Sequence, residues 1–291
     1  MNNNILRRSI FAFRDMLIKR HSGPEVQRLM ANRIREGHPL MVARFGAVEI
    51  KAVAYGILPP PVCYFLKDYT YRCMPRNAGF FPATDEAFRR FAILMKDCMV
   101  DVDILASWRP EELLFRRRLA HCYNMVLEEI LPTDRPESWT SALEGKRVLV
   151  VNPFADTIRH QYETNRERIW HCAVTLPEFA SLETVKAVQT IAGNHAGFDS
   201  WFDALDYMKR EIETKDFDVA LLGCGAYGFP LASHIKRVGK QAIHMGGNLQ
   251  LLFGIKGKRW DNAGLYNDYW VRPSEAEKPL GLTQVEGGCY W

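Results

Sequence analysis

The chain has 291 residues, a formal net charge of +4, 47% hydrophobic and 25% charged residues, a composition ordinary for a globular protein. No apolar run approaches the ~18 residues of a membrane-spanning helix, and Arg14 and Asp15 interrupt the early apolar stretch SIFAFRDMLI, so no secretory leader is expected. Seven scattered cysteines without a C-x-x-C pair argue against a zinc ribbon or disulfide framework and for reduced thiols in the cytoplasm.

The charge is concentrated at the start of the chain. Residues 1–37 hold eight Lys/Arg against three acids, a net +5 that leaves −1 for the remainder. The segment ILRRSIFAFRDMLIKR places Ile10, Phe13 and Leu17 at helical spacing with arginines between them. It reads as an amphipathic helix, either packed on the domain with its charges solvated or resting on an anionic membrane surface. A body without basic excess disfavours nucleic acid as a partner.

From residue 40 onward, strand-like runs at 40–45, 103–108, 147–154, 171–176, 218–224 and 241–247 alternate with helix-like segments near 84–99, 111–131, 155–169, 199–214 and 229–239. Runs of Val, Ile and Leu without polar alternation suit a sheet buried on both faces. Their alternation with helices predicts a Rossmann-like α/β fold with a mostly parallel sheet. The proline-rich LPPPVCYF (58–65) and RNAGFFPATDE (76–86) read as loops or a small insertion. The expected organisation is a basic helical segment over 1–39 packed on the domain, a Rossmann-like body over 40–254, and an aromatic-rich tail or lid over 255–291.

Ligands in such folds bind beyond the carboxyl ends of the strands, which directs the search to the residues after each run. In DFDVALLGCGAYGFP, residues 216–230, Gly223, Gly225 and Gly228 satisfy G-x-G-x-x-G ahead of a helix. A dinucleotide site would add an acid some twenty residues on to hold the ribose. No Asp or Glu occurs between Asp218 and Asp261, so the NAD reading loses its second half, and S-adenosylmethionine suffers likewise. The loop remains either an anion or nucleotide loop, or a turn needed only for helix–strand packing. Cys224 within it reads as a small buried filler, with no positive neighbour in sequence to stabilise a thiolate.

The run LMVARFGAVEI ends in Arg44, leaves room at Gly46 and begins a helix with Glu49. An arginine and a carboxylate from one strand tip suit a phosphate with a divalent cation or a sugar hydroxyl, or simply pair with each other. In NPFADTIRHQY, Asn152 is a candidate for hydrogen bonding a base or ribose, or for shaping the turn. Asp156 is a second candidate for the base or a metal ligand, or an ordinary acid at a helix N-terminus. His160, His195 and His244 lack metal-binding spacing; His244, with Asn248 nearby, stands closest to the glycine loop. No serine-hydrolase elbow or Walker loop occurs, which removes hydrolase and ATPase readings.

The segment ARFGAVE resembles the R-F-G-D-G-E strand tip of the GT-D type glycosyltransferases of bacterial glycan loci, and LLGCGAYGFPLASHIKRVGKQAIHMGGNLQ is similar to that family's later strand–glycine turn–helix–strand layout. The resemblance implies transfer of a sugar from a nucleotide-sugar donor to a glycan or lipid-linked acceptor, for surface polysaccharide or glycoprotein glycan. It implies a cytoplasmic setting, possible peripheral contact with the inner membrane face, and Mn²⁺ or Mg²⁺ as cofactor. It carries Glu49 over as base or metal ligand. Arg44, Gly46, Asn152, Gly223, Gly225, Gly228, His244 and Asn248 stand at donor-binding positions, and Asp156 is the second catalytic candidate. The chain departs from the pattern at Ala47, where the family has the Asp of Asp-x-Glu, and at HMGGN, where it has D-x-G-H. The alternatives are a Rossmann enzyme using S-adenosylmethionine or NAD, and a non-catalytic scaffold of the same fold.

Overall fold

A computed structural model describes residues 3–285 and 287–291, without the side chains of residues 3–8 and 10, so the Ile10 side chain lies outside the described residues. Seven strands form one wholly parallel sheet: β1 (Leu40–Ala43), β2 (Ile104–Ser107), β3 (Tyr123–Val126), β4 (Arg147–Asn152), β5 (Ser181–Lys186), β6 (Val219–Leu222) and β7 (Gln241–His244). Their order across the sheet is β3-β2-β1-β7-β6-β4-β5. The α-helices are α1 (Asn3–Leu17), α2 (Pro24–Glu36), α3 (Ala47–Ile57), α4 (Tyr64–Asn77), α5 (Asp85–Cys98), α6 (Ala155–Ile169), α7 (Trp201–Glu213), α8 (Gly228–Arg237) and α9 (Leu249–Leu252). The fold is α/β and Rossmann-like, as the alternating pattern predicts.

The period of two along each strand sorts the side chains onto two cores. Met41, Ala43, Leu105, Val151 and Leu222 pack with α3, α5, α7 and α8 on one face. Leu40, Val42, Ile104, Val150 and Leu221 pack with α2, α6 and Trp139 on the other. Two-sided burial is why the four residues of β1, β2, β6 and β7 are all buried.

Helix ends follow local chemistry. Thr84 caps α5 through its hydroxyl, which accepts from Ala87 N at 3.1 Å, and Asp85 and Glu86 sit in the first turn where the helix dipole favours them. Ser200 caps α7 in the same way, accepting from Asp203 N at 3.3 Å.

Two expectations for the chain path fail. The helix expected over 111–131 is a 3₁₀ turn (Pro110–Phe115), then β3, then a second 3₁₀ turn. The strand expected over 171–176 is a 3₁₀ turn at Ala173–Thr175, and the pairing partner of β4 is SLETVK, residues 181–186. Both misread strands are sheet edges, only partly buried, and an edge strand needs backbone partners on one side more than an apolar pattern. Between the two runs read as loops or a small insertion, 58–65 and 76–86, lies α4, with Pro75 inside it.

At the N-terminus, α2 buries Val26, Met30 and Ile34. By contrast, α1 turns Arg14 inward at 3% exposure and leaves Phe13, Met16 and Leu17 exposed. No helix among the described residues is long and apolar enough to cross a membrane.

Candidate functional site

The chain leaves neighbouring strands in opposite directions at one place. From β4 it runs outward through α6 to β5, and from the adjacent β6 it runs inward through α8 to β7. Loops that diverge in this way open a crevice at the carboxyl edge of the sheet. A cavity of about 280 Å³ lies there, reached by Arg44, Glu49, Trp108, Asn152, His244 and Arg259 among others.

The β1 tip forms one wall. Arg44 is half-buried, and its Nε and Nη2 donate to Phe45 O at 3.3 and 3.1 Å. Trp108, following β2, donates from Nε1 to the same carbonyl at 2.8 Å, and the guanidinium lies 5.2 Å from the Trp108 ring centre. Burial pulls the Arg44 pKa below its ordinary value, while the charge of Glu49 pulls it back up. Arginine starts so high that it remains a cation at neutral pH.

Glu49 is the third residue of α3, whose N-cap is Gly46. Its carboxylate folds back over Gly46, into the space that a β-carbon there would fill. An acid at this position is favoured by the exposed N–H groups of the first turn. Gly46 and Glu49 are thus a fitted pair, both lining the cavity.

The opposite wall is the glycine loop. Asn152 is buried, donating from Nδ2 to Gly223 O at 2.9 Å and accepting from Phe154 N at 2.8 Å, so its amide ties β4 to β6 and shapes the turn. A β-carbon on Gly223 would lie 2.6 Å from that amide nitrogen and 2.9 Å from Gly246 O. Gly225 takes φ +57°, a left-handed conformation that costs glycine little. Both line the cavity; Gly228 does not. Gly228 instead lets the start of α8 press against the His244 imidazole.

His244 ends β7 at 4% exposure, and its Nδ1 has no hydrogen-bond partner among the described residues. Burial first, and Arg44 second, push its pKa down to about 3, so the ring is neutral at physiological pH. The Cys224 thiol, also buried on the cavity wall, is pushed up to about 12 by desolvation, which rules out a resting thiolate.

Asp156 and Asn248 lie off the cavity wall. The Asp156 carboxylate faces solvent, 3.7 Å from Lys186 Nζ. The α6 N-terminus receives its anion from the C-terminal tail: buried Glu277 accepts from Asp156 N at 2.8 Å, from Thr157 N at 3.3 Å and from the Thr157 hydroxyl. Asn248 is half-buried in a 3₁₀ turn beside the site. His160 and His195 also lie off the lining.

Sequence reasoning missed the tail's share of the site. Lys258 N donates to Trp291 O and Arg259 N to Cys289 O, both at 2.9 Å, bringing the chain's last residues over the cavity. Tyr290 packs its ring on Gly247, and Gln250 Nε2 holds Tyr290 O at 3.2 Å. Arg259 donates from Nη1 to the Tyr290 hydroxyl at 2.9 Å, its guanidinium 4.5 Å from that ring's centre. The aromatic and basic content of the tail was the signal available; its contact partners were not.

A divalent cation wants several oxygen ligands, usually more than one carboxylate. Among the described residues, no group of three or more His, Cys, Asp or Glu is placed to hold a metal ion. Glu49 is the one carboxylate among the described lining residues, with a guanidinium beside it and Ala47 where a second acid would stand. These residues do not fit Mn²⁺ or Mg²⁺.

No protein-family model matches the chain, and no curated protein matches it. Among solved structures, it is similar to the selenomethionine-substituted structure of domain of unknown function 1792, at 14% identity and a TM-score of 0.45 over 82% of each chain. A likeness at that level says nothing about activity.

Proposed function

We propose that this chain is a glycosyltransferase that uses a nucleotide-sugar donor. The observation that carries the reading is one cavity at the sheet's diverging point. It joins the arginine–glutamate tip of β1 to the glycine loop of β6. A guanidinium beside bare glycine backbone suits a phosphate-bearing ligand. The same strand-tip segment carries the resemblance to GT-D type glycosyltransferases.

The chemistry assigns a role to each group. The bond between sugar C1 and the diphosphate oxygen breaks, and its electron pair leaves with the nucleoside diphosphate. Arg44 stabilises the charge that develops there. The acceptor hydroxyl oxygen bonds to C1, and Glu49 takes its proton as general base. Gly223 and Gly225 let the ligand approach bare backbone, and neutral His244 offers a hydrogen bond without adding charge. NAD and S-adenosylmethionine are disfavoured, because the tip of β7 presents His244 where a ribose-holding acid would stand.

The acceptor is a glycan or lipid-linked glycan of bacterial surface polysaccharide or glycoprotein. The setting is the cytoplasm, at the inner membrane face. Exposed Phe13, Met16 and Leu17 on α1, in a segment carrying +5, suit an anionic bilayer surface.

A thermal-shift panel of UDP, GDP, CMP, dTDP, NAD and S-adenosylmethionine tests the reading. Ligand at about 100 times its Kd adds roughly 2.7 kcal/mol, a rise of roughly 4 °C or more. The expected result is a rise with one nucleotide of the sugar-donor type; a rise with NAD or S-adenosylmethionine alone overturns the proposal.

A further inference from the structure

Phe65, at the start of α4, is 88% exposed, more than any other large apolar side chain among the described residues. Val62 and Tyr64 beside it are 48% and 59% exposed. Pro59, Pro60 and Pro61 complete an exposed run that only Cys63 interrupts. The run faces outward because of how it is tied. Cys63 turns into the core shared with α3 and α5, and its N–H donates to Pro59 O at 3.2 Å. Tyr64 N donates to Pro61 O at 3.1 Å. Each proline fixes its own φ, so the tip is set in shape before any contact and little order is lost on binding.

Basic side chains surround this tip. Phe65, Tyr69 and Arg72 share one face of α4 by their spacing, and Lys51 of α3 lies 4.2 Å from the Tyr69 ring centre. Lys67, three residues beyond Tyr64, lies 5.5 Å from the Tyr71 ring centre. Over 58–77, Lys67, Arg72 and Arg76 stand against one acid, Asp68. The nearby Asp85 carboxylate is engaged by the Tyr55 and Tyr71 hydroxyls. A tip of three apolar side chains is small for a protein interface, which takes about 20–30 residues a side. A bilayer accepts such a tip: apolar groups sink below the headgroups, tyrosine stays at the interface, and cations meet the lipid phosphates.

We propose that the turn 59–65 inserts into the surface of an anionic membrane. Val62, Tyr64 and Phe65 are its apolar contacts, and Lys51, Lys67 and Arg72 lie at headgroup level. This deepens the membrane setting proposed above, to which α1 contributes, and does not depend on sugar transfer. One shallow apolar element holds a bilayer only marginally, and two together hold it firmly.

The test is co-sedimentation of the full chain with vesicles of phosphatidylglycerol and phosphatidylcholine, and with vesicles of phosphatidylcholine alone. The expected result is binding to the anionic vesicles only. Tyr64→Ser with Phe65→Ser should weaken it by about tenfold or more, the scale of burying one large apolar side chain. Phe65→Trp should keep it within about threefold, because tryptophan suits the membrane interface. Both positions are exposed, so the variants should keep the wild-type melting temperature, and that is checked first. Unchanged binding of the serine variant, or equal binding to neutral vesicles, overturns the proposal and leaves α1 to stand or fall alone. Self-association of the wild type that the serine variant loses also overturns it, since the tip then meets a second copy of the chain. A wild type that binds neither vesicle overturns both the turn and α1 as membrane contacts. The transferase reading is untouched by each of these outcomes, because nucleotide-induced melting shifts test it separately.

Discussion

Gly228 stands at the start of α8 with φ −61°, a conformation open to any residue, yet the His244 imidazole occupies the space of its β-carbon. Gly228→Ala should therefore destabilise the protein by about 2 kcal/mol through overpacking. The same change in a His244→Ala background should cost little, a coupling that urea unfolding of the four proteins measures. His244 also makes stability depend on pH. Its folded pKa, about 3, lies below the unfolded value near 6.5, so between these limits the unfolded chain binds the extra proton. Stability falls as pH drops through that window, by roughly 1.4 kcal/mol per unit at full effect. Between pH 7 and pH 5 the wild type should lose about 2 kcal/mol more than His244→Gln; parallel losses would show that the ring titrates normally. Glu49→Gln tests the proposed base. Turnover should fall by a factor of about 10² or more, while nucleotide affinity changes little, since the base contacts the acceptor hydroxyl.

Among the elements, α6 presents first-turn N–H groups without intrahelical acceptors at the point where a parallel sheet commonly receives phosphate. Glu277 takes that place. Glu277→Ala should cost about 2 kcal/mol and lower the melting temperature by roughly 5 °C, as buried donors lose a charged acceptor. An unchanged melting temperature would mean that water replaces the carboxylate without penalty. Among the described side chains of helix α1, Arg14 faces inward and Phe13, Met16 and Leu17 are exposed. Phe13→Asp with Met16→Asp should abolish co-sedimentation with anionic vesicles if α1 is the membrane contact. Neutral vesicles should bind neither protein. Periodicity marked the apolar side of this helix, yet it carries no information on which side meets the protein.

At the scale of the whole molecule, the tail couples fold to site. It fills the α6 N-terminus through Glu277, closes over the cavity through Tyr290 and reaches it with Arg259. The parallel sheet and most of its strands were legible in the chain, because a strand buried on both faces is mainly apolar: LMVA in β1, VALL in β6, VLVV within β4, ILA within β2 and AI within β7. The edge strands β3 and β5 were not legible, because backbone pairing with a single neighbour leaves little trace in side-chain type. The location of the candidate site followed from the same logic. A parallel sheet directs its loops to one end, so Arg44, Gly46, Glu49, Asn152, Gly223, Gly225 and His244 reach one cavity although up to 200 residues separate them. The sequence by itself thus determined the sheet apart from its edges, the end at which the cavity opens, and the residue types offered there. Tertiary structure alone decided that Asp156 faces solvent, that Gly228 serves His244 rather than a ligand, and that the tail returns to supply Arg259. The physical reason is that periodicity records which face of an element is apolar. Contacts made by an irregular tail are set by shape and hydrogen bonding after the elements have packed, and have no period to read.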